Sequence, residues 1–222
     1  MASGYILIDK PIKMSSHGVV NRLRQLTHIK KIGHAGTLDP LATGLMLLAV
    51  GREATKKIIQ FSQMDKEYLA DIQLGEETDT YDREGRVISS YQGEKIKKGE
   101  LVKALENFLG PQEQLPPMYS AKKVAGQKLY HLARRGKDIE RPKQQVVISN
   151  LELLSYKWPL IKLRVSCSTG TYIRTLAYDL GRFLGTGAYL AGLRRTKIGP
   201  FAIDQAVELD KIGESDWEKR LF

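Results

Sequence analysis

The clearest periodic stretch in the chain is Lys66–Leu74, where KEYLADIQL alternates polar and apolar positions and puts Tyr68, Ala70, Ile72 and Leu74 on one face. That alternation predicts a half-buried strand. Residues 4–9 form a β-rich apolar run closed by Pro11, and residues 45–50 form another, so both predict buried strands. Further strand-like runs lie at 86–90, 146–156 and 160–168, the last two joined by a turn at Trp158 and Pro159, and at 188–198. Helical spacing takes over elsewhere. Ser15 and Ser16 can cap a helix whose apolar face is Val19, Val20, Leu23, Leu26 and Ile29. A short helix is predicted at 54–61, and a charged, exposed turn at 93–99 precedes another helix at 101–109. Leu101, Leu105, Phe108 and Leu109 face the core there, and Gly110-Pro111 stops it. A helix at 127–135 ends at Gly136, and one capped by Thr169 or Thr171 carries Ile173, Leu176, Leu180 and Leu184 as its buried stripe. A last helical stretch is predicted at 214–221. The mixture of strands and helices is consistent with an α/β (α+β) fold without choosing it.

Composition narrows the partners. The chain has 222 residues, 42% hydrophobic, with 35 Lys and Arg against 25 Asp and Glu, a formal charge of +10. Such an excess suits a polyanion, through neutralised phosphates and released counterions. The basic residues Lys128, Arg134, Arg135, Lys137, Arg141 and Lys143, interleaved with Tyr130 and His131, read either as a solvated helix face or as an RNA-backbone patch. Cys167 is the one cysteine, so no intrachain disulfide forms, and its apolar run suits a small buried residue. No signal peptide or membrane span is expected, which points to a cytoplasmic protein. His17, His28, His34 and His131 show no ligand spacing, and no metal is expected.

The chemistry concentrates in residues 33–44, GHAGTLDPLATG. Its glycines permit a sharp bend, and Pro40 restricts Asp39 to extended backbone, so a carboxylate is set inside a bent loop. An ordinary connection would satisfy glycine and proline equally well. A phosphate loop is excluded, because no Lys-Ser/Thr pair follows the last glycine.

This block resembles, nearly letter for letter, the catalytic motif of the TruB-type tRNA pseudouridine synthases, and a similar block occurs in their guide-RNA-dependent relatives. Other segments resemble the family in the same order. IDKPIKMSS, residues 8–16, is similar to its first motif, with Lys13 where the family has glycine and Ser15 where it has threonine. KEYLADIQLGEETDTYDREG, PPMYSAKK and GTYIRTLAYDLG are similar to its tyrosine strand with acidic turn, its proline-tyrosine segment and its arginine motif. The resemblance runs from Tyr5 to about Leu209, and no C-terminal RNA-binding domain is recognised after it. One catalytic domain over residues 1–222, with a short tail from about 210, is therefore expected.

The resemblance implies a pseudouridine synthase fold, a mixed and mostly antiparallel sheet flanked by helices with a central RNA-binding cleft. It implies isomerisation of uridine 55 in the T-loop of tRNA to pseudouridine, with no cofactor, by a monomer that extrudes the base. Asp39 would be the nucleophile, or the base for the C2′ proton, with Arg174 as its ion partner and Tyr68 packed on the target base. His34, Asp82, Lys123, Tyr172 and Leu193 would border the bound RNA. From pattern alone several of these read differently. Tyr68 is a core aromatic, Asp82 a solvated turn residue, and His34 a structural loop histidine. Arg174 is an exposed arginine, although its place in a first helical turn asks for an anion. Two alternatives stay open: a guide-RNA-dependent synthase, and a non-catalytic RNA-binding protein or tRNA chaperone.

Overall fold

The structure is a computed structural model that describes residues 2–120, 122–124, 127–129 and 139–222. In chain order the elements are β1 (Gly4–Lys10), α1 (Ser16–Thr27), β2 (Ile32–His34), β3 (Ala42–Val50), α2 (Arg52–Lys57), α3 (Ile59–Ser62), β4 (Lys66–Leu74), β5 (Glu76–Thr78) and β6 (Val87–Ser90). Then come α4 (Lys98–Glu106), β7 (Gly110–Gln114), β8 (Lys123–Val124), β9 (Gln127–Lys128), β10 (Gln144–Lys157), β11 (Leu160–Cys167), α5 (Ile173–Phe183), β12 (Ala188–Ile198), β13 (Phe201–Ala202) and β14 (Val207–Glu208). The chain divides into two compact units, residues 1–69 with 193–222, and residues 70–192.

In the first unit the strand order is β14-β1-β3-β12-β4. β3 pairs antiparallel with β1 along its whole length, Gly4 opposite Val50 and Lys10 opposite Gly44. Its other edge is shared. β12 pairs in parallel with Ala42, Thr43 and Gly44, while β2 pairs antiparallel with Leu48, Ala49 and Val50. β3 is therefore apolar on both faces, as a central strand must be. Ser15 caps α1 by accepting from Gly18 N at 3.0 Å, and Val19, Val20, Leu23 and Leu26 are buried. Each such side chain contributes about 1.5–3 kcal/mol. Ile29 falls outside the helix, because His28 turns left-handed at its C-cap and re-aims the chain. The expected helix at 54–61 is two short pieces, α2 and α3. At the end of the chain only Trp217–Arg220 is helical, as a 3-10 turn, and Trp217 is buried while Phe222 pairs with Tyr5 through both backbone groups.

In the second unit the order is β4-β11-β10-β7. β10 and β11 form a long antiparallel pair, and Ile161, Leu163, Val165 and Cys167 of β11 alternate into the core. Cys167 is buried, as its apolar run predicted. α4 ends three residues before the predicted stop, so Leu109 is 44% exposed, and residues 110–114 are strand rather than a simple terminator. The expected helix at 127–135 begins instead with β9; residues 130–138 lie outside the described residues, and with them Arg134, Arg135 and Lys137 of the basic cluster. α5 is capped by Tyr172 without a side-chain bond, since Thr171 Oγ1 donates to Ser168 O instead. Leu184 is only half-buried just past its end.

Candidate active site

In the first unit the loop that holds Asp39 lies along the shared edge of β3. Between the segments paired by β12 and by β2, the strand leaves the carbonyls of Leu45 and Leu47 without strand partners. Ala35 N donates to Leu47 O at 2.9 Å, and Arg195 Nε donates to Leu45 O at 2.7 Å. Arg195 is 1% exposed, and its Nη2 also reaches Gly36 O at 3.2 Å. The guanidinium thus fastens the first turn of the loop to the strand. Gly44 closes the loop at φ +104°, where a Cβ would stand 2.3 Å from Arg195 O, so no side chain fits.

Both neighbours of Asp39 are held by their backbones. The Ser16 hydroxyl accepts from Leu38 N at 2.7 Å and donates to Leu38 O at 2.9 Å. On the other side Lys13 N donates to Pro40 O at 2.8 Å. Lys13 has φ +64°, a left-handed conformation that explains why the resembled motif carries glycine there. Asp39 itself is half-buried, and its carbonyl accepts from Ala42 N at 3.1 Å to turn the chain into β3.

Charge around the loop comes from buried cations. Lys10 is fully buried, and its Nζ donates to Pro11 O at 2.9 Å and Met14 O at 2.6 Å. Burial lowers its pKa to about 8; the charge of Asp39 opposes that drop, and Arg195 adds to it. His34 is half-buried, and its Nδ1 accepts from Gly36 N at 3.3 Å. Its pKa is lowered by burial first, then by Arg195 and His17. A neutral ring follows, with its proton on Nε2. Tyr68 is buried on β4, as the alternation predicted, and half-buried Leu193 pairs with Ala42 where the loop enters β3.

The second unit brings Asp82 and Arg174 together. Asp82 is 4% exposed and Arg174 5%, which overturns the solvated-turn reading of the first and the exposed reading of the second. Asp82 Oδ1 accepts from Thr80 Oγ1 at 2.7 Å and Glu84 N at 3.0 Å, while Oδ2 meets Arg174 Nη1 at 3.4 Å. Arg174 Nη2 donates to Tyr119 O at 2.8 Å. The turn packs as well as bonds: Tyr81 stacks on Tyr178 of α5 with ring centroids 4.0 Å apart. Tyr172, half-buried, is clamped by Gln114, which accepts from its N at 2.9 Å and donates to its O at 3.2 Å. Lys123 lies in β8, where its backbone pairs with Lys128 of β9.

A loop that presents one carboxylate between pinned neighbours, and a buried arginine-carboxylate pair, are thus in place in the two units. The family model described as TruB family pseudouridylate synthase (N terminal domain) matches residues 24–173. The chain belongs to the TruB family. A second model, the tRNA pseudouridylate synthase B C-terminal domain, matches residues 174–220, past Leu209. A tRNA pseudouridine synthase B of Opitutus terrae is 46% identical over 223 residues, covering 99% of this chain and 92% of that protein. One of Protochlamydia amoebophila is 49% identical over 205 residues, covering 92% and 77%. Among solved structures, a Cbf5-Nop10-Gar1 complex matches 96% of this chain at 26% identity with a TM-score of 0.75. An H/ACA RNP bound to a substrate RNA containing 2′-deoxyuridine matches 97% at 24% identity with a TM-score of 0.71. This chain spans 54% and 55% of those two chains. The expected pseudouridine synthase fold, mixed and mostly antiparallel, is the one observed.

For a TruB chain, sequence reading missed the roles of Lys10, Ser16, Arg195 and Gln114. The two cations sit in strands that hydropathy alone would treat as surface-facing at those positions. Their signal was faint: a lysine directly before Pro11, and a second arginine following Arg194.

Proposed function

We propose that this protein isomerises uridine 55 in the T-loop of tRNA to pseudouridine, acting in the cytoplasm as a monomer without a guide RNA or cofactor. The observation that carries the reading is identity of 46% to a protein named tRNA pseudouridine synthase B over 99% of the chain. The guide-dependent alternative is less well supported, because the relatives at 46% and 49% identity are both named tRNA pseudouridine synthase B.

The reaction breaks the bond from uracil N1 to C1′, turns the base, and joins C5 to C1′. One proton leaves C5 and one is taken up at N1, so no external redox or group donor is needed. Asp39 acts at the sugar, as nucleophile at C1′ or as base for the C2′ proton. The backbone anchors at Leu38 and Pro40 hold its position, so little ordering remains to be done when substrate arrives. Tyr68 packs on the base and takes the C5 proton, and Arg174 supplies the charge partner that the family resemblance assigns to it. Extruding the base from its stack costs a few kcal/mol. Neutral His34 supports the opened RNA, Leu193 and Tyr172 enclose the base, Asp82 holds Arg174, and Lys123 contacts the backbone.

The test is pseudouridine mapping of tRNA incubated with the protein alone. Product at position 55, absent with Asp39→Asn while RNA binding persists, is the expected result. Product only when a guide RNA is added would favour the alternative. Product from Asp39→Asn at the wild-type rate would remove Asp39 from the chemistry.

A further inference from the structure

Ser120 carries a polar group that the fold leaves unfinished. It is 4% exposed, and among the described residues its hydroxyl has no hydrogen-bond partner. A buried hydroxyl in that state costs about 1–3 kcal/mol, and a rotatable O–H normally turns until it finds an acceptor.

The surrounding chain is not loose enough to explain the vacancy. Residues 114–119 are stitched to the segment that carries Tyr172 and Arg174. Gln114 clamps both backbone groups of Tyr172, and Thr175 Oγ1 donates to Leu115 O at 3.2 Å. Arg174 Nη2 holds Tyr119 O, the carbonyl immediately before Ser120. Beyond it Lys122 Nζ donates to Gln144 Oε1 at 2.8 Å, and Gln144 Nε2 donates to Gly170 O at 2.6 Å. Among the described residues these bonds fix the chain around Ser120, and the carbonyl just before it is held by Arg174, the partner of Asp82, while its own hydroxyl is left unpaired.

We infer that the Ser120 hydroxyl is completed by the substrate, as a binding residue that hydrogen-bonds the nucleotide presented to the Arg174 and Asp82 pair. A pyrimidine nucleotide is rich in acceptors, in its two carbonyl oxygens and its ribose, and a hydroxyl can serve any of them. The inference rests on the synthase reading above. It adds a residue whose cost in the free protein is recovered when RNA is bound.

The experiment compares wild type, Ser120→Ala and Ser120→Cys in three measurements: melting temperature without RNA, affinity for a T stem-loop, and single-turnover pseudouridine formation. Ser120→Ala removes an unsatisfied group, so its melting temperature should hold or rise by about 2–4 °C. Its affinity or rate should fall about 3–10-fold, with Ser120→Cys, a weak donor of similar size, in between. A fall in melting temperature that accounts for the lost activity would make Ser120 structural and overturn the inference. Unchanged affinity and rate would also overturn it, leaving a hydroxyl satisfied by water alone. If wild type makes no pseudouridine the synthase reading fails, and the affinity comparison still decides whether Ser120 contacts RNA.

Discussion

Replacing Ser16 by alanine tests whether the loop around Asp39 is held in the way its hydrogen bonds indicate. Ser16 is 3% exposed and Leu38 4%, and one hydroxyl serves both the N–H and the carbonyl of Leu38. Alanine leaves two buried backbone groups unpaired. At about 1–3 kcal/mol for each group left without a partner, the loss should be about 2–6 kcal/mol. For a chain of this size that corresponds to roughly 4–24 °C in melting temperature. Ser15→Ala is the control. That residue caps the same helix from an exposed position, through a bond of 3.0 Å to Gly18 N, so it should cost only about 1 kcal/mol. Because Leu38 directly precedes Asp39, Ser16→Ala should also lower the single-turnover rate by more than it weakens RNA binding, measured below the melting transition. A melting shift no larger than that of Ser15→Ala, with an unchanged rate, would refute the claim that this hydroxyl sets the loop.

Arg174→Lys keeps the charge but cannot serve Asp82, Thr80 and Tyr119 at once, so kcat should fall about tenfold or more with RNA affinity nearly unchanged; steady-state kinetics alongside a binding titration would show it. Lys13→Gly relieves the left-handed backbone at φ +64°, and the relief outweighs the added unfolded-state entropy by about 0.5–1 kcal/mol, seen as a small rise in melting temperature. Lys10 has a folded pKa of about 8 against 10.5 when free, so between those values the unfolded chain binds more protons and stability should rise with pH. Denaturant titrations of wild type minus Lys10→Gln across that window would show a positive slope, and a negative one would contradict the burial of its charge.

What could be read in advance divides along physical lines. Local periodicity gave β4 its bounds, because side-chain alternation is written into neighbouring residues. Residues 33–44 announced themselves through glycine, proline and a lone carboxylate. The interior charges were hidden. Arg195 is buried because Leu45 and Gly36 offer carbonyls to it across long sequence distances, and no local window contains that fact. Asp82 looked like a solvated turn residue until Arg174, far along the chain, was placed against it. Element ends failed for a related reason. Helix α4 stops early and α5 starts from Tyr172 rather than a threonine cap, since strand pairing by residues 110–114 and the clamp by Gln114 outweigh local preference.

The Gln114 clamp separates where residue 172 is from what it is. The amide grips only the N–H and the carbonyl of Tyr172, groups that every residue except proline possesses. This grip on the backbone at the start of α5 does not depend on which side chain residue 172 carries. Leu38 under Ser16 and Tyr119 under Arg174 are seated in the same way. A scaffold that fixes positions by their main chain separates the path of the backbone from the identity of the side chain, so a substitution at residue 172 leaves the grip of Gln114 on the start of α5 available.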